Sequence, residues 1–187
     1  MFDELIGALE RRGFEAEAVA TANEACALVM KEAEGAASVG WGGSETIKQI
    51  GARRMLEASG KEIRDHARVC DLFLLSANAV TADGRIVNID GNGNRVAASI
   101  NGPKRVVYVV GRNKIVSGGV DEAVARIRAC ACPPNARRLG KRTPCALTGK
   151  CADCDSPERM CNVTAIFERK PTGVSAKVIL VDEDLGY

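Results

Sequence analysis

Strand-like and helix-like patterns alternate at least three times along the chain, which predicts an α/β fold with a Rossmann-like, mostly parallel sheet flanked by helices. Two apolar runs carry that reading: residues 69–76 (VCDLFLLS) and 105–110 (RVVYVV) are nearly continuous, as in strands buried on both faces. Length agrees, because 187 residues, 46% hydrophobic and 27% charged, suit one globular domain over residues 1–187.

The elements follow in order. Residues 2–12 have a helical apolar period closed by Gly13, and 14–19 alternate apolar with acidic, as a half-buried strand does. Thr21 and Glu24 stand three apart before an apolar run, the signature of a capping box, and Gly35 ends that helix. Residues 36–40 form a short apolar segment leading into Trp41-Gly42-Gly43-Ser44-Glu45-Thr46, after which Ile47, Ile50, Met55 and Leu56 resume a broken helical pattern. Asp83-Gly84 between extended runs 78–81 and 85–89 predicts a hairpin. Residues 121–131 read as a helix that Pro133-Pro134 should stop. Strands are expected at 163–168 and 177–182, around a turn at Pro171 and Gly173. Only 133–162 lacks regular periodicity over a long stretch, and it holds half of the cysteines.

Composition removes several function classes. A net charge of +2, from 26 basic and 24 acidic residues, is too balanced for a protein that neutralises many phosphates, and 4% aromatic residues leave few stacking platforms, so no nucleic acid is expected as partner. No window approaches the roughly 18 to 20 apolar residues that span a bilayer, and the first ten residues carry Asp3 and Glu4 without a basic leader. The expected place is the cytoplasm, with no membrane partner. Thiols stay reduced there, so eight cysteines point to a metal or a reaction rather than to disulfides.

Cys145, Cys151, Cys154 and Cys161 follow C-x5-C-x2-C-x6-C in PCALTGKCADCDSPERMCN. Thiolates on a loop containing Pro144, Gly149 and Pro157 can wrap one centre, so 133–162 is expected to be a cysteine-rich metal-binding loop. Zinc and a [4Fe–4S] cluster both accept four thiolates; with a single C-x2-C pair, the spacing favours the cluster and keeps zinc as the alternative. Arg137, Arg138, Lys141, Arg142, Lys150 and Arg159 are placed to offset the cluster's negative charge, or simply face water. Cys130 and Cys132 precede the loop and are expected to pack beneath it, and Cys26 and Cys70 sit in core patterns.

Polar residues gather where the strands should end, the place where α/β folds bind ligands. Gly42, Gly43 and Ser44, with Thr46 behind them, offer N–H groups and hydroxyls to a phosphate or carboxylate, although Ser44 equally reads as a plain N-cap. Asn78, Thr81, Asn88, Asp90 and Asn94 exceed what two turns require, which suggests a polar pocket, with Asp83 and Asp90 as candidates for handling a proton. Lys104 and Lys114 flank the strand at 105–110 and are set to meet a small anionic molecule or else water. His66, in a polar helical stretch, reads as exposed rather than as a base.

WGGSET, SANAVTADGRIVNIDGNGNRVAASINGPKRVVYVVGRNKIV, and PPNARR followed by PCALTGKCADCDSPERMCN resemble the lactate-utilisation (LUD) domain family, in its small subgroup with a cysteine-rich tail, from about Val39 onward. The resemblance implies a sheet of the sugar-phosphate isomerase and CoA-transferase-like type, similar to formyltetrahydrofolate cyclo-ligase, and a link to lactate oxidation through iron–sulfur carriers. The separate ferredoxin-like cysteine sets of the larger lactate-utilisation subunits are absent from this chain, and no catalytic residue is carried over. Three functions remain open at this point: an iron–sulfur redox protein or oxidoreductase subunit, with an electron-transfer protein as partner; a non-redox transferase or ligase-like enzyme with a structural metal; and a non-catalytic interaction subunit. Self-association into a homo-oligomer stays open with each.

Overall fold

The computed structural model describes residues 2–65 and 69–187; His66 lies outside the described residues. Leu5, Ala8 and Leu9 form the buried stripe of α1 (Asp3–Arg11), and β1 (Glu15–Val19) follows. The capping box holds at α2 (Ala22–Glu32): Thr21 Oγ1 accepts from the Glu24 amide at 3.2 Å, and the Glu24 carboxylate accepts from the Thr21 amide at 3.1 Å. Next come β2 (Ser38–Trp41) and two short helices, α3 (Glu45–Gln49) and α4 (Ala52–Ala58). The break between them sits at Gly51, whose φ of 75° suits glycine.

An edge strand not anticipated from the sequence, β3 (Glu62–Asp65), leads to β4 (Leu72–Leu75), which is shorter than its apolar run. The hairpin forms as β5 (Ala79–Thr81) and β6 (Ile86–Asp90), then α5 (Asn94–Ile100) and β7 (Arg105–Gly111). The chain continues through β8 (Ile115–Val116), α6 (Val120–Arg126), α7 (Cys132–Arg138), α8 (Pro144–Thr148), β9 (Val163–Phe167) and β10 (Ser175–Val181).

Pro133-Pro134 does not stop the helical path, contrary to expectation. After α6 the chain widens into a π turn at Ile127–Ala131, and the prolines occupy the first turn of α7, where no intrahelical amide is required.

Among the described residues, six strands build an all-parallel sheet in the order β1-β10-β7-β4-β2-β3, confirming the α/β architecture with its mostly parallel sheet. Alternate residues of β7 enter opposite cores. Val106, Tyr108 and Val110 pack with Leu5, Leu9 and Phe14 on one face, while Val107 and Val109 pack with Val29, Ile47 and Leu56 on the other. A second sheet, β8-β5-β6-β9, is mixed: β5 and β8 run parallel, and β6 is antiparallel to β5 and β9. A third core joins it to the helical path through Ala79, Val87, Ile127, Ala131 and Cys132.

Candidate functional site

Turns that leave the carboxyl ends of four sheet strands meet at one cavity of about 640 Å3. Gly42, Gly43 and Ser44 follow β2, Ser76 and Asn78 follow β4, Lys114 follows β7, and Gly186 follows β10. This is where an open parallel sheet exposes strand ends without a covering helix. Of the residues singled out in the sequence, Gly42, Gly43, Ser44, Thr46, Asn78, Asp90, Asn94 and Lys114 line it.

Lys114 is buried, 4% exposed. Its Nζ donates to Thr46 Oγ1 at 2.6 Å and Ser76 Oγ at 2.8 Å, both neutral acceptors, and among the described residues no carboxylate is its partner. Burial first, then the charges of Arg126 and Arg95, pull its pKa down to about 7. Arg126 gives its guanidinium to three backbone carbonyls, those of Asn113, Asn78 and Tyr187, and burial lowers its pKa as well. Arg95 is the fork that orders the opposite wall. It donates to Asp90 Oδ1 at 2.9 Å, Asn78 Oδ1 at 2.8 Å and the carbonyls of Ser76 and Ile89. The guanidinium groups of Arg95 and Arg126 thus act on the Lys114 amine, and Asp90 is the carboxylate paired to Arg95.

Gly42 has a steric reason. A Cβ there would lie 3.1 Å from the Arg95 side chain and 3.2 Å from the Phe73 ring, so glycine lets the turn pass between them. Ser44 serves as N-cap, its Oγ accepting from the Ile47 amide at 3.3 Å, and the helix it caps has only five residues. Asp90 is bound on both sides of its carboxylate, by Arg95 and by the Val96 amide at 3.1 Å.

Four singled-out residues lie away from the cavity lining. Lys104 precedes β7, at the amino end of the sheet, where its exposed amine pairs with Asp71 at 2.7 Å. Thr81 and Asp83 sit in the hairpin turn beside Arg12 and Arg85. The Thr81 hydroxyl, then those two guanidinium groups, hold the Asp83 carboxyl below its usual range, the opposite of what a proton acceptor at neutral pH needs. Asn88 is fully buried, and its Oδ1 accepts from the Asn78 amide at 2.9 Å, so it positions Asn78 from behind. Arg95 and Arg126 were missed by sequence reasoning. The Gly-Asn-Arg run after Asp90 pointed toward the first, whereas nothing local marks Arg126.

The cysteine loop forms another wall of the same cavity through Pro157, Glu158, Arg159, Met160 and Asn162. Cys145, Cys151, Cys154 and Cys161 are all free and half-buried. Arg159 braces the loop: Nη1 donates to the Cys154 carbonyl at 2.7 Å, Nε to the Cys161 carbonyl at 3.2 Å, and Nη2 to Asp153 Oδ1 at 2.8 Å. Asp153, between Cys151 and Cys154, has a φ of 44°, a tight left-handed bend. Asn162 closes the loop by donating its amide to the Asp90 carbonyl at 2.9 Å, and β9 then pairs with β6. Among the described residues, no three Cys, His, Asp or Glu side chains converge on a single-ion position. Cys26 and Cys70 are buried, as expected. Cys130 is exposed rather than packed beneath the loop, since residues two apart on a helical path point to opposite sides, and Cys132 is buried.

Among the described residues, no helix is long and apolar enough to cross a membrane. No curated protein matches the chain. A crystal structure of a DUF162 family protein from Deinococcus radiodurans is similar in fold, with a TM-score of 0.56 at 17% identity, covering 97% of this chain and 98% of that one. The profile of the LUD domain matches residues 2–181. The chain therefore belongs to the LUD domain family.

Proposed function

We propose that this protein is an iron–sulfur redox protein or oxidoreductase subunit that holds a [4Fe–4S] cluster on its cysteine loop, beside a pocket for a small anion. The observation that carries the reading is shared construction: residues 157–160 of the loop and the buried amine of Lys114 line one cavity. The donor chemistry fits, since the loop offers several free, half-buried thiols and no histidine. The single C-x2-C pair favours a cluster over zinc, which structural sites usually hold between two such pairs. When bound, such a cluster supplies one-electron transfer.

The chain's own residues do the rest. Arg159 fixes the loop's carbonyls, and Arg128 and Arg159 hold Asp153, which sets the bend between two of the thiols. In the pocket, Lys114 and Arg95 attract an anion, with the charge of Arg126 behind the wall acting on Lys114, and the Thr46 and Ser76 hydroxyls orient the amine. An amine with a pKa near 7 holds or releases a proton at Nζ as an anion arrives or leaves. Asp90 is in the cavity but committed to Arg95, so it serves as an orienting group.

The test is anaerobic purification with iron, sulfide and zinc analysis, followed by a redox titration. The proposal expects about four iron and four sulfide per chain, reversibly reduced. Colourless protein with one zinc per chain defeats it and leaves the enzyme with a structural metal. Inorganic phosphate and acetate are the probes of the pocket, and Lys114→Met should weaken both at least about tenfold.

A further inference from the structure

Lys114 ends the turn after β7, and its amine meets two hydroxyls whose own protons are already placed. Thr46 Oγ1 donates to the Leu185 carbonyl at 3.3 Å and Ser76 Oγ to the Ala77 carbonyl at 3.2 Å, so both oxygens turn lone pairs toward Nζ. A neutral amine has two protons, and these two acceptors take both. An ammonium carries a third N–H, for which the described residues provide no third acceptor in this buried place. The hydrogen-bond inventory therefore suits the free base, whose lone pair is left for the cavity that Lys114 lines. Gly186 passes beside the amine without capping it: φ is 65°, and a Cβ there would stand 2.6 Å from Thr46 Oγ1 and 3.0 Å from Nζ.

We infer that Lys114 Nζ is a nucleophile that forms an imine with a small carbonyl compound bearing an anionic group; this rests on the reading of the cavity as an anion pocket, and not on the cluster. Nζ attacks the carbonyl carbon: a C–N bond forms, the π pair moves to oxygen, and one amine proton passes to that oxygen, giving a carbinolamine. The nitrogen lone pair then expels hydroxide, which takes the remaining amine proton, so one water leaves, an imine remains and no oxidant or reductant is consumed. The Thr46 and Ser76 hydroxyls, bonded to Nζ, are in reach to pass these protons. Burial, then the charges of Arg126 and Arg95, lower the proton affinity of the amine and keep the free base available near neutral pH. The same guanidinium charges select the partner, since they favour a carbonyl compound with a carboxylate or phosphate over a neutral one.

The experiment incubates the full chain with glyoxylate and cyanoborohydride near neutral pH, so that an imine is fixed as a secondary amine, and maps the adducts by peptide mass. Exposed Lys104 and Lys150 are the internal reference. At pH 7 an amine with a pKa of about 7 has about a thousand times the free-base fraction of an ordinary lysine, and its lower basicity takes back part of that gain. Lys114 should therefore be labelled at least about tenfold faster than either reference. That preference should shrink with neutral propionaldehyde and fall when acetate competes. Lys114→Arg, checked for folding by circular dichroism, should lose this adduct and keep those on the reference lysines. Labelling of wild type no faster at Lys114 than at Lys104 and Lys150 overturns the inference, and so does an equal preference with propionaldehyde. Acetate binding by calorimetry separates the two levels: acetate bound without labelling of Lys114 overturns the inference and leaves the anion pocket standing, whereas no acetate binding brings down the pocket reading and the inference with it.

Discussion

Lys114 is buried with no carboxylate partner among the described residues, and replacing it by methionine gives a test whose size follows from the structure. The unfolded chain releases the lysine proton near 10.5 and the folded protein near 7, so between those values the unfolded state holds a proton that the folded state lacks. Stability therefore rises with pH through this window. The deficit from burying the charged amine is complete below about 7 and gone above about 10.5. Its full size is about 5 kcal/mol, at about 1.36 kcal/mol for each pH unit. Between about pH 7.5 and about pH 9.5 the share from this one residue is about 2 to 3 kcal/mol. Urea unfolding of wild type and Lys114→Met under reducing conditions, at several pH values, isolates it. The wild type should gain about 2 to 3 kcal/mol on the variant across that interval. Methionine also removes the donor that the Thr46 and Ser76 hydroxyls accept from, while they keep donating to the Leu185 and Ala77 carbonyls, which offsets the two curves by a constant and leaves the slope difference intact. A gap constant to within about 0.5 kcal/mol would mean that the amine keeps an ordinary proton affinity, and the electrostatic account of the pocket would fall.

The remaining predictions concern single contacts. Ser44→Ala should lower stability by about 1 kcal/mol in urea unfolding, because the Ile47 amide loses its acceptor at the start of α3. Asp83→Asn should leave phosphate and acetate affinity unchanged by calorimetry and cost less than about 1 kcal/mol of stability, since its partially exposed ion pairs with Arg12 and Arg85 lie away from the cavity lining. Gly84→Ala should cost about 2 kcal/mol or more by thermal unfolding: φ is 85° there, and a Cβ would stand 2.7 Å from the Ala8 backbone carbon in α1.

The sheet could be read from the sequence because β4 and β7 are uniformly apolar and β-branched or large, a pattern that few other environments tolerate. Thr21 and Glu24 fixed one helix start, and Asp83-Gly84 fixed the hairpin. β3 stayed hidden because Glu62, Arg64 and Asp65 on a sheet edge face water and carry no apolar period. Pro133-Pro134 misled because proline opens a helix as readily as it ends one, and the π turn before it has no sequence signature of its own. In the site, polar residues after β2, β4 and β7 were legible from position alone, since chain order puts them at strand ends. Lys104 shows the limit. It flanks the same strand as Lys114, yet the two lie at opposite ends of the sheet, and only strand direction separates a buried amine from a solvated one. Arg126 reaches its carbonyls across 48 residues to Asn78 and 61 to Tyr187, contacts that no local pattern records.

Asp90 has two attachments that make it a hinge pin: its side chain holds Arg95 in the pocket, and its carbonyl receives the amide of Asn162 at the end of the cysteine loop. A displacement at either tether is transmitted to the other through one residue of β6. A guest that binds Arg95 and alters the setting of Asp90 must change the affinity of the sulfur-rich segment for its own guest by some factor, and reciprocity requires the same factor in return. Were both compartments to take guests, their occupancies would be linked through this residue.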